Sequence, residues 1–317
     1  MDIVFIIIGL ALVLAGAHIL TEGSAAIAEK FRISEFIIGL TIVAVGTSMP
    51  EFVVSSAAAV QGSSDMAIGN VVGSNIFNVF LILGLCALVS PLPFTKNNIR
   101  YDIPFVFIAS ILFMVVALDT VFGLGDIDRI GRVEGALMFL GYIAVVVWSV
   151  RSSKKDEQTV AAEPRMKMWV AVLAVLGGLV ALVVGSRLFV DGASAVARAL
   201  GVSDALIAIT LVACGTSLPE LASGLVSVVK GQTGMALGNV LGSNLFNILF
   251  ILGGCSMITP LTLGDIDIID ISMVVLSAVI PFIFAFTFKG RKLDRIEGAA
   301  MVLIYIGYVA WLISKVL

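Results

Sequence analysis

Charge is what this 317-residue chain has least of: Asp, Glu, Lys and Arg together make 13% of it. A soluble domain carries roughly 25%, so about half the charge needed for a water-facing surface is missing. Nor is there an excess of basic residues. Nineteen Lys and Arg against 22 Asp and Glu leave a net charge of −3, which excludes the basic footprint of a nucleic-acid binder. The three cysteines, Cys86, Cys214 and Cys255, lie inside apolar runs and make neither a disulfide framework nor a zinc site. They read as small core residues. His18 is the only histidine, and with no partner in view it also reads as packed core. Gly185-Ser186-Arg187-Leu188 is no serine-hydrolase elbow without a histidine and an acid placed to serve it. The chain starts with neither the basic segment nor the small-residue cleavage site of a secretory signal, so its first apolar run is expected to be retained as a span.

Apolar residues fill the space that charge leaves. They make 60% of the chain, and the mean hydropathy is +1.13. Apolar runs fall near 3–20, 36–60, 66–90, 101–120, 133–150, 168–190, 204–229, 235–259, 270–288 and 298–315. A spanning helix needs about 20 such residues, so the pattern predicts an all-α membrane protein of ten transmembrane helices. The one long polar stretch, Arg151 to Arg165, divides five spans from five. The expected organisation is therefore 1–150, a linker over 151–166, and 167–317. The linker is too short for a folded regulatory domain. With the N-terminus outside, 14 of the 19 basic residues fall on the inner side, so the linker is expected to be cytoplasmic.

The two halves are copies of one another. Ser34 to Glu51 returns as Ser203 to Glu220 with 10 of 18 positions identical, at an offset of 169. At the same offset, Met66 to Pro91 matches Met235 to Pro260 in 15 of 26 positions, and Asp128-Arg-Ile is echoed 166 residues on by Asp294-Arg-Ile. Five spans is an odd number, so the second half must run opposite to the first. Inverted repeats of this kind are typical of secondary transporters, with the site at the midplane between the repeats.

The chemistry sits in the repeated segments. Each Gly-Thr-Ser-X-Pro-Glu lies mid-span. Pro50 and Pro219 break the helix, which is expected to free carbonyls near Ala44, Thr47, Ala213 and Thr216. Carbonyls with Thr and Ser hydroxyls form an all-oxygen environment suited to a hard cation. Glu51 and Glu220 sharpen the reading, because a carboxylate near the bilayer centre costs at least about 2.5–3.5 kcal/mol. Neither motif span holds a Lys or Arg, so the missing positive charge is expected to be the substrate: one divalent ion, several monovalent ions, or protons. The next spans carry Gly69-Asn-Val-Val-Gly-Ser-Asn-Ile-Phe-Asn78 and its copy Gly238 to Asn247. Ser74 and Asn78 stand four apart on one helix face, as do Ser243 and Asn247, and these read as ligands. Asn70, Asn75, Asn239 and Asn244 have interhelical hydrogen bonding as the plainer alternative, with glycines permitting close approach.

These paired motifs resemble the two alpha repeats of the calcium/cation antiporter superfamily, and the prokaryotic sodium/calcium exchanger branch fits best. The resemblance covers essentially the whole chain. It implies a ten-helix fold of inverted five-helix repeats, with broken helices 2, 3, 7 and 8 around a midplane cation site. It also implies exchange of Ca²⁺ for Na⁺ by alternating access in a prokaryotic inner membrane, without prosthetic group, catalysis or obligatory protein partner. By the same resemblance, Glu51 and Glu220 are central ligands, and the Thr47 and Thr216 carbonyls complete the calcium cage. Ser48, Ser74, Asn78, Ser217, Ser243 and Asn247, with the Ala44 and Ala213 carbonyls, serve sodium. The first and sixth spans slide as gates.

Some relatives have aspartate where this chain has Asn78 or Asn247, so the site here holds two carboxylates rather than three. Proton-coupled relatives tend to carry a further glutamate after Gly-Asn, and its absence favours sodium. Proton-coupled antiport, a passive cation channel and an intramembrane enzyme are the competing expectations. The last lacks a nucleophile–base or catalytic aspartate pair. Asp126 and Asp128, like Asp265, Asp267 and Asp270, lack the glycine and terminal glutamate of an EF-hand and are expected to be solvated loop acids.

Overall fold

The structure is a computed structural model in which residues 2–123, 125–156, 166–202, 207, 211, 213–287 and 290–316 are described. The beginning of the second motif span, at 203–206, 208–210 and 212, and most of the linker, at 157–165, lie outside the described residues.

The long helices are α1 (Asp2–Phe31), α2 (Glu35–Thr47), α3 (Met49–Val60), α4 (Ser64–Val89), α5 (Asn98–Ala117), α6 (Arg132–Asp156), α7 (Met168–Ala199), α8 (Leu218–Val229), α9 (Thr233–Ile258), α10 (Ile268–Phe284) and α11 (Arg295–Val316). Seven of them are long and apolar enough to cross a membrane, and the α2–α3 pair, bent by 47°, makes an eighth span. The expected ten is not reached by length among the described residues, because α8 has 12 residues and α10 has 17. For α8 the reason is plain: the apolar run before it falls largely outside the described residues.

Outward-facing positions are apolar. Ile7, Leu14, Leu137, Leu173, Val180 and Leu303 are all exposed. Such a surface is tolerable only against lipid tails, and the chain is an integral membrane protein. Burial also ranks the helices. The apolar windows of α4 and α9 are 78% and 94% buried, against 17% for α11 and 28% for α1 and α7. The duplicated α4 and α9 are therefore the centre, and the others are walls. Helices α1 and α7 pack on each other along glycine faces: a Cβ at Gly16 would meet the Gly178 carbonyl at 2.8 Å.

Two small antiparallel clasps join one half to the other. β1 (Leu92–Pro93) pairs with β4 (Lys292–Leu293), and β2 (Arg129–Ile130) with β3 (Leu261–Thr262). Each clasp ties the loop after a central helix to the loop before the last helix of the opposite half.

The helix breaks only partly follow expectation. The first falls at Ser48 (φ −83°, ψ 8°), and its copy at Ser217 (φ −92°, ψ 5°). Pro50 and Pro219 stand in the first turn of the helix that follows, where a missing N–H costs nothing. The Ala44 carbonyl is not freed by Pro50; it accepts the Ser48 N–H at 3.0 Å and the Thr47 hydroxyl at 3.4 Å. Helices 3 and 8, here α4 and α9, are not broken. They hold no proline, and instead widen into π turns at Phe77–Leu83 and Phe246–Leu252, a local change that is frequent at functional sites.

Other expectations need correcting. His18 is exposed on α1, and its carbonyl accepts from Lys230 Nζ at 3.3 Å; one side of a lipid-facing helix has no core to pack against. Cys86 and Cys255 are buried, while Cys214 is partly exposed. Asp267 and Asp270 are not simply solvated: they cap α10 reciprocally, and Asp270 is buried and accepts from the Tyr308 hydroxyl at 2.7 Å. Lys315 Nζ lies 2.7 Å from Asp267 Oδ2 and 3.9 Å from the Trp311 ring centroid.

The Lys315 hydrogen bond holds the Asp267 carboxyl below its ordinary value, helped by the α10 backbone N–H groups. A depressed carboxyl contributes stability that is full at neutral pH and is lost as pH falls through the folded value. The thermal unfolding difference between the parent and Lys315→Met is therefore expected to be small, because the pair is largely solvated, and to shrink as pH falls below about 4, where the free carboxyl protonates. A difference that grows on acidification contradicts this.

Candidate functional site

The two breaks face one another at the centre of the bundle, and each contributes a serine to the other's glutamate. Ser48 Oγ donates to Glu220 Oε1 at 2.7 Å, and Ser217 Oγ donates to Glu51 Oε1 at 2.9 Å. These residues are related by the same offset of 169, so the contacts repeat the duplication across the interface of the halves. Each carboxylate sits in the first turn after its break, and all four side chains are fully buried.

The central helices complete the ring. From α4, Ser74 Oγ lies 3.3 Å from Glu51 Oε1 and 3.0 Å from Ser217 Oγ. From α9, Asn247 Nδ2 donates to Ser74 Oγ at 3.1 Å. Asn78 Nδ2 donates to Asn244 Oδ1 at 3.2 Å, and Asn244 Nδ2 reaches the Asn75 carbonyl at 3.4 Å. Ser243 is fully buried with its hydroxyl unpartnered.

Nearly every candidate is thus brought to one place. Glu51, Glu220, Ser48, Ser217, Ser74 and Asn247 gather at the facing breaks, with Asn78 tied in through Asn244. Thr47 stands beside them, and its hydroxyl bonds back to Val43 O at 3.0 Å and across to Asn239 Oδ1 at 3.2 Å. Thr216 takes the same place in the other half, but its hydroxyl has no partner. Ala213 opens a short helix, Ala213–Gly215, before the second break.

The atoms left without partners are nearly all oxygens. Glu51 Oε2, Glu220 Oε2, Asn78 Oδ1, Asn247 Oδ1, Ser243 Oγ and Thr216 Oγ1 are buried and make no hydrogen bond. Native interiors rarely strand polar atoms. Here two carboxylate, two amide and two hydroxyl oxygens are stranded in the same region. The set fits a hard cation, whose ligands are oxygens, and among the described residues no group of three or more His, Cys, Asp or Glu competes for a softer metal.

The sequence profile of the sodium/calcium exchanger protein family matches residues 1–151 and 170–314. The chain belongs to that family. CaxA of Alkalimonas amylolytica, a putative antiporter, is 36% identical over 98% of both chains, and the sodium/calcium exchanger MaX1 of Methanosarcina acetivorans is 30% identical over 97% of both. A solved structure of the sodium-calcium exchanger NCX_Mj, soaked with Na⁺ and Ca²⁺, superposes with a TM-score of 0.84 at 32% identity, covering 98% of this chain and 97% of that one. Membership places this chain among cation antiporters rather than enzymes.

Asn244 and Asn239 are where sequence reasoning was least decisive. Their hydrogen bonds favour the bridging alternative: Asn239 ties Thr47 to Ser223 Oγ, the latter at 2.9 Å, and Asn244 ties Asn78 to the Asn75 backbone of α4. The Asn75 side chain does not follow, since both of its amide atoms lack a partner. An α-helical count puts Asn75 off the Ser74–Asn78 face, and the π turn that begins at Phe77 alters that face in a way no residue spacing announces.

Proposed function

We propose that this chain exchanges Ca²⁺ for Na⁺ by alternating access. Residues 1–150 and 167–317 would form two inverted five-helix repeats, counted as ten spans when α8 is extended through its preceding apolar run. The N-terminus would lie outside a prokaryotic inner membrane and the 151–166 linker in the cytoplasm. What carries the reading is the set of stranded oxygens between two carboxylates whose motif spans hold no Lys or Arg. Two negative charges balance one Ca²⁺. The same oxygens, shared differently, serve Na⁺, so that loading one ion displaces the other.

In this reading Glu51 and Glu220 hold the ions, with the Thr47 and Thr216 carbonyls beside them. Ser48, Ser217, Ser74, Ser243, Asn78, Asn247 and the Ala44 and Ala213 carbonyls complete the sodium positions. The Ala44 carbonyl would have to exchange a hydrogen bond for an ion. Helices α1 and α7, packed on each other along glycine faces, would slide to open each side in turn. The sodium gradient would drive calcium export.

Purified protein loaded with ⁴⁵Ca²⁺ is expected to release it on addition of NaCl, and not on addition of choline chloride at equal ionic strength. Release by both salts, or by neither, would remove the shared site. Asn247→Asp adds a third carboxylate beside Ser74. It is expected to keep calcium binding while making transport depend more steeply on pH or on the accompanying monovalent ion, read from flux profiles between about pH 6 and 9, the range a carboxyl raised by burial can enter. An unchanged profile would make Asn247 a packing residue.

A further inference from the structure

Away from the central site, a cavity of about 230 Å³ opens between the loop before α2, the start of α5 and the end of α6. Its lining includes Thr95, Asn98, Asp102, Trp148 and Ser149, with Lys96 among the residues around it. Asp102 is 5% exposed, Asn98 3% and Ser149 2%. One oxygen of Asp102 accepts from Asn98 Nδ2 at 3.0 Å, while the Ser149 hydroxyl is buried without any partner. Among the described ion pairs none joins Asp102 to a lysine or arginine.

The duplication shows what this space lacks. Thr95 and Asn98 bond each other's backbone N–H groups, at 2.9 and 3.1 Å, as Asp267 and Asp270 do at the start of α10. The offset of 166 that relates Asp128-Arg-Ile to Asp294-Arg-Ile also relates Ser149 to Lys315. In the second half the Lys315 ammonium stands against Asp267, 2.7 Å away. In the first half the corresponding side chain is a serine, which ends short of that reach. Ser149 lines the cavity, and the buried Asp102 carboxyl is on its wall. A protein ammonium stands beside Asp267 in the second half; in the first half the acid at the cavity is a different one, Asp102, four residues after Asn98, with Lys96 also on the lining.

We propose that this cavity binds a monovalent alkali cation, with part of its water shell, between Asp102, Ser149 and Asn98. A single carboxylate balances a single charge, and Lys96 at the same cavity disfavours a divalent ion. The volume suits a partly hydrated ion rather than a bare one. The site is separate from the central carboxylates and is a second place where a monovalent ion acts on the chain without being carried.

The test uses purified full-length protein carrying Glu51→Gln and Glu220→Gln, which silence the central site, and Trp169→Phe and Trp311→Phe, which leave Trp148 as the reporter. It is titrated at a fixed alkaline pH with KCl and separately with NaCl, choline chloride holding the ionic strength constant. A saturable change in Trp148 emission is expected with at least one salt, and the salt that gives it identifies the ion. Ser149→Ala is expected to weaken the response roughly fivefold to tenfold, the equivalent of one lost hydrogen bond, and Asp102→Asn to abolish it. Ser149→Lys restores the tethered ammonium of the other half, and it too is expected to abolish the response while raising the unfolding temperature in alkali-free buffer. No saturable change with either salt overturns the proposal. So does a response that survives unaltered in Ser149→Lys, the variant that decides if Asp102→Asn does not fold.

Discussion

Glu51→Gln and Glu220→Gln are each expected to reduce calcium flux by about two to three orders of magnitude with the fold intact. The carboxylates are fully buried, and each has one oxygen that no donor reaches. Removing one of them leaves a dehydrated Ca²⁺ half neutralised. Loss of one partner from a buried charge pair costs about 3–5 kcal/mol, and each 1.4 kcal/mol is tenfold. Folding is expected to survive because glutamine keeps a carbonyl oxygen for the serine across the interface: Ser217 for Glu51 and Ser48 for Glu220. The measurement is ⁴⁵Ca²⁺ flux in proteoliposomes at matched protein, with size-exclusion profiles as the folding control. Flux near the parent level in either variant contradicts the shared two-carboxylate site.

The second large effect is on assembly. Where α2 crosses α9, a Cβ at Gly238 would lie 2.1 Å from the Phe36 carbonyl oxygen, and one at Gly39 would lie 2.3 Å from the Met235 carbonyl oxygen. Both obstacles are backbone, so no side chain can turn aside to make room. Overpacking a side-chain contact costs about 1–3 kcal/mol; here two helices would have to part at the crossing that sets α2 against α9. Gly238→Val is expected to yield no monodisperse protein in detergent, and Gly238→Ala to lower the unfolding temperature markedly. Gly177, exposed on α7, has nothing among the described residues within 4 Å of where a Cβ would stand, so Gly177→Ala is expected to be tolerated. Equal unfolding temperatures for Gly238→Ala and Gly177→Ala would show that the helices part at the crossing without cost.

Much of this was legible in the sequence, for identifiable reasons. A glutamate inside an apolar run is costly enough in lipid that it announces a site, and finding it twice at one offset pairs Glu51 with Glu220 from the sequence alone. The Ser48–Glu220 and Ser217–Glu51 bonds were not legible, because a repeat states that two segments are equivalent but not that each serves the other. The π turns at Phe77–Leu83 and Phe246–Leu252 were hidden too: nothing in Phe-Asn-Val-Phe-Leu-Ile-Leu departs from an α-helical pattern, and the breaks expected in α4 and α9 came from the resemblance alone. The proline residues misled in a related way. Pro50 marks the break near it, but standing in the first turn after Ser48 it leaves the Ala44 carbonyl bonded. His18 failed as a core residue because an apolar run in a membrane protein has lipid on one side, and burial cannot be inferred from hydropathy alone.

The most direct test of exchange is ⁴⁵Ca²⁺ uptake into proteoliposomes loaded with sodium and diluted into sodium-free, potassium-free buffer at equal pH. Sodium/calcium exchange predicts uptake that collapses when sodium is equalised across the membrane and persists with a protonophore present. Uptake that ignores the sodium gradient and follows an imposed pH gradient would contradict it.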